Sequence, residues 1–80
     1  MGTRRGNADV LWARRLDEVR QFTAEMGRFP IYDRDRHPEE TVLAVWLGRQ
    51  RTWRRQGRLR ADRHQRLDEV LPGWFTSSDA

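Results

Sequence analysis

Apolar residues recur along the first third of this chain with the period of a helix. Leu11, Trp12, Leu16, Val19, Phe22 and Met26 fall on one arc of roughly 140° when each residue advances the wheel by about 100°. Only Arg15 interrupts the stripe, at its edge, where its stem can lie on apolar surface while the guanidinium reaches water. Asn7 is a good N-cap before this segment and Gly27 a good glycine just past its end. The pattern predicts a first helix over about residues 8–26.

Periodicity stops after Gly27. Two prolines, Pro30 and Pro38, and the alternating charges Asp33, Arg34, Asp35 and Arg36 mark a loop. Phe29, Ile31 and Tyr32 are too apolar to be idle there and are expected to fold back as a lid over one end of the core. A second helix is expected over about residues 41–56, closed by Gly57. It gathers Val42, Leu43, Trp46, Gln50 and Trp53 on one side. The opposite side holds Ala44, Gly48, Arg51, Arg54, Arg55 and, one residue past Gly57, Arg58. A third helix is expected over about residues 61–71, with Leu67, Val70 and Leu71 inward, before Pro72-Gly73 ends it. Trp74 and Phe75 then cap the core.

Three such stripes predict an all-α chain folded as a compact three-helix bundle over residues 7–75, with a flexible tail at 1–6 and a polar tail at 76–80. The expected core is Trp12, Leu16, Trp46, Trp53, Leu67 and Trp74. Eighty residues hold one core and no second domain. Four tryptophans, each able to bury about 150 to 250 Å², make that core possible without staples. The absence of cysteine excludes disulfides and thiolate chemistry. No apolar run approaches the roughly 18 residues of a membrane span, so a soluble, cytoplasmic monomer without membrane attachment is expected.

Charge changes the picture most. All 16 basic residues are arginine, and eight of them, Arg49, Arg51, Arg54, Arg55, Arg58, Arg60, Arg63 and Arg66, stand between positions 49 and 66 against one acid, Asp62. Like charges packed this closely repel, and a polyanion relieves them. Arginine's fork also grips phosphate oxygens at two points. The wheel places Arg51, Arg54, Arg55 and Arg58 on one outward face with Arg60 and Arg66 beside it. These six are the expected nucleic-acid contacts, with DNA ahead of RNA. Arg49 and Arg63 lie nearer packed surface and are expected to pair structurally, with Asp17 or Glu18 for instance.

Trp53, interleaved with arginines, has the setting of a stacking platform for single-stranded bases. Its angle, close to Trp46, assigns it to the core instead. Gln50 sits inward between Leu43 and Trp46 and is expected to bond loop backbone. The exposed side of the third helix, Asp62, Gln65, Arg66 and Glu69, is too acidic to read a major groove. His37 and His64 have no second ligand at metal spacing, and a chain without lysine has no phosphate-binding loop of the Walker type. Glu39 and Glu40 suit a helix start. Neither a cofactor, a metal nor an enzyme is expected.

The order of these elements resembles the helicase-associated domain, a short repeat attached to bacterial superfamily-two helicases. The resemblance rests on Trp12 with Leu16, Gly27-Arg28-Phe29-Pro30, Leu43-Ala44-Val45-Trp46-Leu47, Gln50-Arg51, Gly57-Arg58-Leu59, Asp62-Arg63, and Leu67-Asp68 running to Leu71-Pro72-Gly73-Trp74. It spans about residues 10–75 and implies a three-helix fold and a nucleic-acid-binding role. The implied setting is tandem copies beside a helicase motor. Docking of the arginine face on an acidic protein is the alternative. Ala44 replaces the family's usual glycine, and Arg60 replaces a Ser-type N-cap. The second change should weaken the start of the third helix by roughly 1 kcal/mol.

Overall fold

The structure is a computed structural model that describes the backbone of residues 3–75 and the side chains of residues 8–75. The polar tail expected at 76–80 and the first two residues lie outside the described residues. Three helices follow in order: α1 (Thr3–Met26), α2 (Pro38–Arg55) and α3 (Ala61–Val70). There is no strand among the described residues, and the chain is a three-helix bundle.

Helix α1 begins at Thr3, so Asn7 lies inside it and is not its cap, and residues 3–6 are helical. Nothing in that stretch stops a helix, because arginine is a good helix former and one glycine costs only about 1 kcal/mol. Its far end is as expected. Gly27 takes φ 73°, the left-handed conformation that favours glycine, and its N–H donates to the Thr23 carbonyl at 2.9 Å.

Helix α2 begins three residues earlier than expected. Pro38 is pre-set for the first helical turn, where its missing N–H has no partner to lose, and Glu39 and Glu40 favour the positive end of the dipole. Glu40 also fixes the loop. Its carboxylate accepts from Arg28 Nη1 and from the Ile31 N–H, both at 2.6 Å, while Thr41 Oγ1 accepts from the Asp33 N–H at 2.8 Å. The loop is a lid only in part. Phe29 packs on the core and Pro30 is buried, whereas Ile31 and Tyr32 point to solvent.

At its other end α2 closes on Gly57, also at φ 73°, with Gly57 N–H donating to Arg54 O and Arg58 N–H donating to Trp53 O. This pair of bonds is the Schellman arrangement. Helix α3 starts at Ala61, as expected, behind Arg60 at the N-cap position, which offers no side-chain cap, and ends one residue short of the expected position, at Val70. Leu71 still turns inward, and Gly73 at φ 86° returns Trp74 into the core.

The buried core is Trp12, Leu16, Val19, Leu47, Leu67, Leu71 and Trp74, with Phe29, Leu43, Trp46, Leu59, Val70 and Phe75 packed around it. The expected stripes were too wide on α1 and misdirected on α2. Leu11 and Met26 of α1 are exposed. On α2 the buried line runs through Leu43, Leu47 and Gln50, while Val42 is exposed and Trp53 is 38% exposed. The helix is turned by roughly 60° from the orientation that its apolar stripe selects. The reason is that α2 must face both α1 and the segment Leu67–Phe75, so its inward line points between them.

This orientation sets an energetic contrast. Leu47→Ala should destabilise the chain by about 2–5 kcal/mol, and Leu11→Ala by no more than about 0.5 kcal/mol, in urea unfolding followed by circular dichroism. A second expectation concerns acid. The Arg28 guanidinium, and then the Ile31 N–H, hold the Glu40 carboxyl below the ordinary carboxylate range. A depressed folded value makes the stabilisation complete above the unfolded value near pH ~4.3, and it is lost as pH falls through the folded value. Glu40→Gln should lower the Tm at neutral pH and flatten its decline below about pH 5.

Candidate functional site

The turn of α2 redistributes the eight arginines. Arg51 and Arg54, expected to point outward, are half-buried. Arg51 Nε donates to the Trp74 carbonyl at 2.6 Å, and its guanidinium lies 5.8 Å from the Phe29 ring centroid. Arg54 Nε donates to His64 Nε2 at 3.0 Å, with its guanidinium 4.1 Å from the centroid of Phe75. These two arginines bind the C-terminal turn to α2. The same His64 Nε2 lies 3.4 Å from Asp68 Oδ2. Trp74 is held from its other side by its Nε1–H, which donates to Asp68 Oδ1 at 2.8 Å.

Arg55, Arg58, Arg60 and Arg66 are exposed. Arg55 approaches the other flank of Phe75 at 5.8 Å. Arg60 grips Asp62 at 2.8 Å and reaches Asp9 at 3.4 Å. The guanidinium holds the Asp62 carboxyl below its ordinary value, so this pair is partly neutralised at its own position. Arg55, Arg58 and Arg66 show no ion pair among the described residues.

The two arginines set apart in the sequence go separate ways. Arg63 is largely covered, lies 5.0 Å from a ring centroid of Trp12 and pairs with Asp9 at 3.1 Å. Arg49 is exposed, and neither Asp17 nor Glu18 takes it up. Those acids pair within α1, Asp17 with Arg20 and Glu18 with Arg15, both at 2.7 Å. Gln50 is buried and structural, but its partners are not loop backbone. Its Oε1 accepts from Trp12 Nε1–H at 3.1 Å, and its Nε2 donates to the Trp46 carbonyl at 3.4 Å.

A feature that the sequence did not disclose lies between α1 and α2. Trp46, Arg49 and Trp53 face Leu11, Arg14 and Arg15 across a cleft of about 470 Å³. Sequence distance hides this meeting, since residues 11–15 and 46–53 converge only when the helices pair. The one signal available was the spacing of Trp46, Arg49 and Trp53, which alternates aromatic and cation along one side of a helix. Among the described residues no group of three or more metal-ligating side chains comes together, and no helix is long and apolar enough to cross a membrane.

Fold and surface define a small three-helix module that presents cations and aromatic edges. The model of the helicase associated domain family matches residues 9–75, and the chain belongs to that family. This is an accessory rather than a catalytic domain of helicase-like proteins. No curated protein and no solved structure matches the chain at a significant level.

The division of the arginines has a direct check in stability. Arg51→Ala removes a charge-assisted hydrogen bond to the Trp74 carbonyl and should cost about 1.5–3 kcal/mol. Arg58→Ala should change stability by less than about 0.5 kcal/mol. Thermal unfolding of the two variants side by side distinguishes an anchoring arginine from a solvated one.

Proposed function

We propose that this chain is a non-catalytic nucleic-acid-binding module that accompanies a helicase motor in the cytoplasm and contacts phosphates through the arginines around the end of α2. The observation that carries this reading is the exposed set Arg55, Arg58, Arg60 and Arg66, which runs from the end of α2 through the turn that follows it to the middle of α3. Of these only Arg60 carries acid partners among the described residues. Backbone contact from helix-borne arginines gives affinity and orientation with little base recognition. Arg51, bonded to the C-terminal turn, and Arg54, bonded to His64 and lying over Phe75, serve the interface by holding its scaffold. The preferred partner is DNA, and tandem copies in one protein would raise a modest single-module affinity through effective concentration.

Titration with DNA and RNA across a salt series tests the reading. With about four phosphates neutralised, log K should fall against log salt with a slope near −3.6 for duplex DNA and near −2.8 for single strands. Reversing Arg55, Arg58 and Arg66 to glutamate together should weaken binding by at least about tenfold and reduce that slope by about 3. The helical signal should stay intact. No binding at low salt, or binding insensitive to the triple reversal, contradicts the assignment. Tight capture of one acidic protein, resistant to competing DNA, would favour the alternative of a protein-docking module.

A further inference from the structure

We infer that the cleft between α1 and α2 is a seat for single-stranded nucleic acid, with bases lying on an aromatic floor and phosphates on an arginine rim. This deepens the nucleic-acid-binding reading and rests on it. Three adjoining depressions make one groove. The central one is walled by Trp46, Arg49 and Trp53 against α1. It shares Arg15, Trp46 and Arg49 with a second, lined also by Tyr32, Arg34, Val42 and Val45. Through Trp53 and Arg63 it continues into a third, beside Arg58, Leu59 and Arg60. The groove therefore runs from the loop that carries Tyr32 to the proposed phosphate contacts at the end of α2.

Its charge is one-sided. Glu18 is the single acid lining the three depressions, and it is already paired with Arg15. Arg14, Arg34, Arg49 and Arg58 border the groove with no ion pair among the described residues. The floor is apolar and open, with Trp53 38%, Val45 41%, Val42 48% and Tyr32 59% exposed. These apolar side chains lie open beside cations that carry no acid partner among the described residues, a pairing that a base and its phosphate can cover together. A duplex keeps its bases stacked inside and would touch the rim alone, leaving the floor uncovered. A single strand offers unstacked base faces to the tryptophans and phosphates to the arginines, which is the combination that single-strand binding uses. Two features favour Trp53 as the central platform: it belongs to both the central and the terminal depression, and its exposure is not explained by core packing.

The experiment measures fluorescence anisotropy of a labelled oligodeoxythymidine and of a hairpin duplex with the same number of phosphates, using the full 80-residue chain at low salt. The single strand should bind more tightly. Trp53→Ala should weaken single-strand binding by roughly 5- to 100-fold and leave duplex binding unchanged, the loss expected of one stacked base. Trp53→Phe, which keeps a stacking face, should retain most of the affinity. Circular dichroism and Tm confirm the fold, and Tyr32→Ala, on an exposed loop position, gives a second reading that does not touch the core.

Duplex binding with no effect of Trp53→Ala or Tyr32→Ala on the single strand overturns the groove while leaving the phosphate-contact reading in place. Failure of both ligands to bind at low salt removes both. Equal, Trp53-dependent binding of an oligoglutamate peptide of matched charge overturns the inference in favour of a protein partner.

Discussion

A primary amide that is almost completely buried in a small core must find hydrogen-bond partners inside it, because an unmet polar group there costs about 1–3 kcal/mol. Gln50, 1% exposed, meets this demand by accepting the indole N–H of Trp12 and donating to the Trp46 carbonyl one turn back on its own helix. Both ends of the amide are thereby tied, one to α1 and one to α2. The bond also satisfies the only polar atom of the Trp12 side chain, which the core needs for its size. An apolar stripe alone would turn Val42 and Trp53 inward as well as Gln50. The helix is held instead with Leu47 inward and with Val42 and Trp53 at the surface.

Much follows from that roll. It brings Arg51 and Arg54 beneath the C-terminal turn, where one bonds the Trp74 carbonyl and the other lies over Phe75. Those contacts fasten a segment that follows α3 and has no helix of its own to pack with. The same roll opens the cleft against α1 and lines it with Trp46, Arg49 and Trp53. The roll thus separates the arginine-rich stretch into residues that hold the fold and residues that remain at the surface.

The helices, their glycine stops and the three-helix arrangement were legible in the chain because each depends on neighbours in sequence: a periodic stripe, a glycine able to take positive φ, a proline that cannot continue a helix. Leu16, Leu67 and Trp74 were legible as core for the same reason. The start of α1 was not, since a good capping residue such as Asn7 does not oblige a helix to begin there. The roll of α2 was not either. A wheel gathers Val42 and Trp53 with Leu43, Trp46 and Gln50 on one side, whereas the fold keeps Gln50 inward, adds Leu47 and leaves Val42 and Trp53 exposed, according to what stands opposite each. The six arginines named as contacts share a sequence neighbourhood but not one surface, and the cleft was hidden because its two walls are some 35 residues apart.

Hydrogen exchange at the indole N–H groups addresses the roll of α2 directly. In two-dimensional NMR spectra recorded after transfer to heavy water, the signals of Trp12 and Trp74, bonded to Gln50 and Asp68, should persist while that of Trp53 disappears at once. A Trp53 indole protected as long as that of Trp12, or a Trp12 indole that exchanges freely, would contradict the account. The first result would return α2 to the orientation that its apolar stripe alone selects, and the second would remove the bond between Trp12 and Gln50 from the core.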